Sequence, residues 1–122
     1  MTARPVRIPV ALPAGESEVS GLWADVAGAQ TTVALAHGAG AGMTHPFLEG
    51  LAAALVEGGV SVLRFVFPYV EAGRRMPGPA AQAVATWAAV QGWLSEQGVG
   101  SFAAAGKSYG GRMASVAAAE RE

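Results

Sequence analysis

Five consecutive residues, Gly106-Lys107-Ser108-Tyr109-Gly110, have the types and spacing that present a serine hydroxyl as a nucleophile. Such a serine sits where a strand reverses sharply into a helix, so that its hydroxyl projects above the strand end. Glycine on both flanks permits the reversal, because a side chain at either place collides with neighbouring backbone. The N–H of the next residue, Tyr109, then lies at a helix N-terminus, where the dipole favours a developing oxyanion. The bland alternative is a strand ended by Gly106 and a helix capped by Ser108. The surroundings favour the nucleophile: Phe102 to Ala105 reads as a short buried strand, and a helix is expected from about Arg112 onward.

A second glycine-rich run, His37-Gly38-Ala39-Gly40-Ala41-Gly42, follows another apolar stretch. A loop of alternating Gly and Ala exposes backbone N–H groups that a substrate can approach closely, which suits the second half of an oxyanion hole. Two nucleotide-binding readings are weaker. A phosphate loop ending in Gly106-Lys107-Ser108 needs its leading glycine at position 101, which is Ser101, and it needs open backbone where Phe102 to Ala105 reads as strand. A dinucleotide fingerprint starting at Gly38 needs glycine where Met43 stands.

The elements that must position these turns follow from periodicity. Val6 to Leu12 and Glu18 to Val26 read as extended segments around Pro13-Ala14-Gly15, and Thr31 to Ala36 as a buried strand. Thr44 offers an N-cap with Pro46 in the first turn, and Phe47, Leu48, Leu51, Leu55 and Val56 follow at helical spacing. Val60 to Phe67 reads as a strand buried on both faces, and Pro68 to Pro79 as a loop. Ala80 to Glu96 reads as a helix with Val84, Trp87, Val90 or Gln91, and Leu94 on one face. An opening hairpin followed by strands alternating with helices argues a single three-layer α/β domain over residues 1–122, its sheet of about five strands mainly parallel.

Composition bounds the chemistry. With 52% apolar and 14% charged residues, the 122-residue chain has the balance of one folded domain. A net charge of −1 offers no electrostatic reason for a nucleic-acid partner. The absence of cysteine excludes disulfides, thiolate metal sites and cysteine nucleophiles. No apolar run approaches the roughly 18 residues of a membrane span, so no membrane partner and a cytoplasmic location are expected. No metal or other cofactor is expected. One Lys against seven Arg, with heavy Ala and Gly usage, points to a GC-rich bacterial coding sequence.

Three segments, HGAGAGMTHPFL, LRFVFPYVEAGRRMPG and AAGKSYGGRMAS, together resemble the α/β-hydrolase family that includes testis-expressed-30-like and NSL-complex-subunit-3-like proteins, whose bacterial members are dienelactone-hydrolase-like. The resemblance runs from about residue 17 onward, and FPYVEAGRR is its most specific part. It implies the α/β-hydrolase fold, with Ser108 as the catalytic nucleophile and the backbone N–H groups of Ala39 and Tyr109 as the oxyanion hole. It also implies a small ester-like substrate. Tyr109 stands where methionine is commoner, a tolerable change because only its N–H is required.

In this fold the acid and the histidine of the triad follow the serine. After Ser108 the sequence contains only Glu120 and Glu122 as acids, and no histidine. The chain therefore resembles the N-terminal half of a hydrolase domain, truncated after the nucleophile helix. The expectation divides between a serine hydrolase incomplete as this chain and a non-catalytic fragment or interaction module of the same fold. Self-association through an uncovered sheet edge at Phe102 to Ala105 is expected in either case.

Several further residues have two readings. His37 either lines the site, with Gly38 and Gly40, or closes its strand. His45 reads as a first-turn surface residue. Arg74 and Arg75 either bind an anionic group of a substrate or form a solvated pair. Arg64, inside an apolar strand, needs a partner if buried, with Glu71 and Asp25 as candidates. Trp87 and Trp93 read as packing residues.

Overall fold

A computed structural model describes residues 3–38, 42–74 and 78–106. The expected helix from Arg112 lies outside the described residues. The order is β1 (Arg4–Leu12), β2 (Gly15–Ala24), β3 (Thr32–Ala36), α1 (Pro46–Glu57), β4 (Ser61–Phe65), α2 (Pro68–Glu71), α3 (Ala80–Glu96) and β5 (Ala103–Gly106).

The five strands form one sheet in the order β1-β2-β4-β3-β5. The sheet is mixed. β4, β3 and β5 run parallel, while β2 joins β4 antiparallel and β1 joins β2 as a hairpin. A hairpin brings β2 back in the reverse direction, so only the strands joined by helical crossovers share one sense. Strand β1 occupies an edge, which suits Pro5 and Pro9, since proline donates nothing to a ladder. The hairpin is tighter than expected: Leu12 pairs with Gly15 across Pro13-Ala14, and Gly15 takes φ +134°, a conformation that glycine adopts without strain.

Helices α1 and α3 cover opposite faces. On the α3 face, Val6, Ile8, Val10, Val19, Leu63 and Phe65 pack with Trp87, Val90 and Leu94. The period-two alternation of β1 and the 3.6-residue period of α3 meet there, and Val90 is buried while Gln91 is exposed. Trp23 stacks edge-on against Trp93 at 5.6 Å between centroids. On the other face a smaller cluster joins Leu35 and Val62 to Leu48 and Ala52 of α1.

Several expectations need correction. The N-cap of α1 is His45, not Thr44, because the His45 Nδ1 accepts the Phe47 N–H at 3.2 Å. Phe47 and Leu51, expected in the apolar stripe of α1, are 51% and 36% exposed, since the sheet contacts only the narrower Leu48–Ala52 line. Strand β4 ends at Phe65, two residues earlier than expected, and the supposed loop opens with the short helix α2, with Pro68 at its first turn.

Candidate active site

Parallel pairing brings three strand ends to one edge of the sheet. Ala36, the last residue of β3, is in register with Phe65 of β4 on one side and with Gly106 of β5 on the other. The glycine-rich run after β3 and the chain after Gly106 therefore leave adjacent strands, which lie about 4.8 Å apart in any sheet. Gly106 ends β5 as the sequence suggests. Ser108 and Tyr109, together with Ala39, Gly40 and Arg75, lie outside the described residues.

His37 is the first residue beyond β3, and it is fully buried. Its Nε2 lies 3.1 Å from the backbone N of Phe67, which can only donate, so Nε2 is the unprotonated acceptor. The ring proton then sits on Nδ1, which donates to the Gly38 carbonyl at 2.8 Å. The imidazole is thus neutral and in one tautomer. Burial lowers its pKa below the ordinary 6.5, and the hydrogen bond to Gly38 opposes this more weakly. Phe67 and Tyr69 stand edge-on to the ring at 5.1 and 5.8 Å. Both ring nitrogens of His37 are engaged by backbone.

The other end of the glycine-rich run is held as well. The Arg64 Nη1 donates to the Met43 carbonyl at 3.1 Å and lies 3.8 Å from Glu49 Oε2. Neither expected partner of Arg64 is used. On the α1 face of β4, Arg64 points toward the start of α1 rather than toward Asp25, and Glu71 is taken by Arg7. The His45 N–H closes a turn onto the Gly42 carbonyl at 3.2 Å. The side chains of His37, just beyond β3, and of Arg64 on β4 thus hold the backbone at Gly38 and at Met43.

Arg74 is exposed after α2, where its backbone N–H donates to the Tyr69 carbonyl at 2.8 Å. Gly38, by contrast, is buried beside His37. The sequence reading missed Tyr69 and Phe67 as walls of this region. The available signal was two aromatics flanking Pro68, which opens α2. Among the described residues no cluster of His, Asp and Glu has the arrangement of a metal site. A cavity of about 540 Å³ lies at the opposite end of the sheet, lined by Asp25, Thr32, Ser61 and Ser101 among others. Among the described residues no helix is long and apolar enough to cross a membrane.

Residues 29–122 match the α/β-hydrolase domain family. The chain belongs to that family. The hydrolase fold is also seen in solved structures of low sequence identity. An α/β serine hydrolase homologue from Coxiella burnetii superposes with a TM-score of 0.74 at 21% identity, covering 96% of this chain and 58% of that one. A dienelactone hydrolase from Anabaena variabilis gives 0.76 at 22% identity, covering 99% and 59%. An α/β serine hydrolase without a lid from Xanthomonas campestris gives 0.72 at 24% identity, covering 96% and 56%. The chain thus spans little more than half the length of these hydrolases. A search of curated proteins finds no match.

Proposed function

We propose that this α/β-hydrolase domain supplies the nucleophile half of a serine hydrolase acting on small ester-like substrates, in the testis-expressed-30-like and NSL-complex-subunit-3-like branch. Ser108 attacks the carbonyl carbon, and the N–H groups of Ala39 and Tyr109 receive the oxyanion that forms. The observation that carries the reading is the register of Ala36 with Gly106 at the ends of adjacent parallel strands. It starts the two glycine-rich turns side by side, as one tetrahedral intermediate needs if it is to touch both. The buried His37 accepts a backbone N–H through Nε2 and so has no free nitrogen to act as the general base. The general base is therefore a residue other than His37.

Labelling with a fluorophosphonate probe in the presence of imidazole, which supplies a base, followed by peptide mapping, tests the assignment. The label is expected on Ser108 and is expected to vanish in Ser108→Ala. Labelling of another residue, or of none at high probe concentration, overturns it.

A further inference from the structure

Strand β2 carries a hydrogen-bond donor that its neighbour abandons. The β2–β4 ladder pairs Gly21 with Phe65, and beyond it the Val66 N–H still donates to the Ser20 carbonyl at 3.1 Å. In an antiparallel pair, the N–H and C=O of one residue face the same neighbouring strand. The Ser20 N–H therefore points toward β4 and needs an acceptor there. Pro68 has already turned the chain into α2, so β4 supplies none. The acceptor is instead the Glu71 carboxylate, whose Oε1 lies 2.9 Å from the Ser20 N. The other oxygen, Oε2, is 2.8 Å from Arg7 Nη1 and 3.3 Å from the Ser20 hydroxyl. Arg7 Nη1 also donates to that hydroxyl at 2.6 Å, and its Nε lies 3.3 Å from Glu18.

The element anchored in this way is a wall of the candidate site. Helix α2 carries Tyr69, which stands edge-on to His37, and Val70, whose Cγ1 is 3.9 Å from where a Cβ on Gly42 would lie. Phe67, its N-cap residue, gives its N–H to His37. A four-residue helix has no stability of its own, so its place depends on its anchors.

We propose that Glu71 is a positioning residue of the hydrolase site: by completing the abandoned β2 ladder it holds α2 against His37, and through His37 it sets the direction of the Gly38 carbonyl. This rests on the functional reading above only for its purpose, since the contacts stand whether or not Ser108 reacts. Burial pushes the Glu71 carboxyl up, but the hydrogen bonds from Arg7 and Ser20 outweigh it and leave the group below its ordinary value.

The test is made in the full chain on a Ser108→Ala background, so that no readout depends on turnover. Amide hydrogen exchange at Ser20 and the side-chain ¹⁵N signals of His37 are measured together. Glu71→Ala is expected to speed Ser20 exchange about tenfold, as one lost hydrogen bond does, and to shift both His37 nitrogens. Glu71→Gln, which keeps an acceptor oxygen, is expected to restore both. Should Glu71→Ala fail to fold, Arg7→Met decides, because it removes the cation and spares the Ser20 bond. Ser20 protection is then expected to persist, and its loss overturns the proposal. Glu71→Ala with unchanged His37 signals, or Glu71→Gln behaving like Glu71→Ala, also overturns it. Absence of fluorophosphonate label on Ser108 in the parent chain with imidazole supplied refutes the hydrolase reading alone.

Discussion

Ala36 and Gly106 are register partners at the C-terminal ends of adjacent parallel strands. They are separated by 70 positions, yet Ala36 directly precedes one glycine-rich run and Gly106 opens the other. The chain passes through α1, β4 and α3 before β5 pairs with β3 rather than with β4. The candidate site is a consequence of that strand order.

The 122 residues alone are expected to hydrolyse p-nitrophenyl acetate only weakly. A serine hydroxyl needs a base to take its proton, and no histidine follows Ser108. Without the triad partners, the oxyanion hole and binding leave on the order of 10³–10⁴-fold over water. Added imidazole is expected to raise the rate above that of Ser108→Ala under the same conditions. A rate that is fast without imidazole and indifferent to Ser108→Ala contradicts this mechanism.

His37 makes stability depend on pH. Its folded pKa is lowered from 6.5, so the unfolded chain takes up the proton first. Stability is therefore full above pH 6.5 and falls as the pH drops below that value toward the folded pKa. Urea unfolding is expected to show a midpoint that falls between about pH 7 and pH 5 in the parent and falls less in His37→Gln. At neutral pH, His37→Ala is expected to cost about 1–3 kcal/mol, since it removes the buried ring that accepts the Phe67 N–H. Equal pH slopes for the parent and His37→Gln would show that His37 is not the titrating group.

Trp87 is 2% exposed and packs edge-on against Phe65 at 5.0 Å, yet among the described residues its Nε1 has no hydrogen-bond partner. Trp87→Phe removes the unpaired donor while keeping an aromatic ring, so relief of desolvation offsets part of the cavity left behind. Its cost is expected to stay below about 2 kcal/mol, against about 3–5 kcal/mol for Trp87→Ala. Chemical denaturation that finds the two variants equally damaging rules this out.

Strand β5 lies at an edge of the described sheet, with Ala103 and Ala104 exposed. We propose that the isolated chain associates through this edge, where unpaired N–H and C=O groups template a further strand. Sedimentation velocity is expected to show concentration-dependent oligomers, reduced in Ala103→Lys. A monodisperse monomer over the whole concentration range refutes the proposal.

The elements with strong periodicity were legible in the residues themselves. Helix α3 spans Ala80–Glu96, as the recurrence of Trp87, Val90 and Leu94 indicates, and β3 and β5 end at the glycines and histidine that the sequence marks. Two glycine-rich runs following apolar strands were enough to suggest a serine hydrolase, although β5, expected to be buried, has Ala103 and Ala104 exposed at the edge of the described sheet. Helix α2 was illegible, since four residues hold no period and Pro68 reads equally as the start of a loop. Side-chain partners were illegible too. Glu71 answers a donor that lies 51 residues away, and His37 one that lies 30 residues away. Arg64 was recognisable as a charge needing a partner, but that partner is a backbone carbonyl at Met43, and every residue has a carbonyl. Residue type dictates which groups must be satisfied on burial; only the packed sheet decides which distant atom satisfies them, because the crossover, not the chain order, sets who is near.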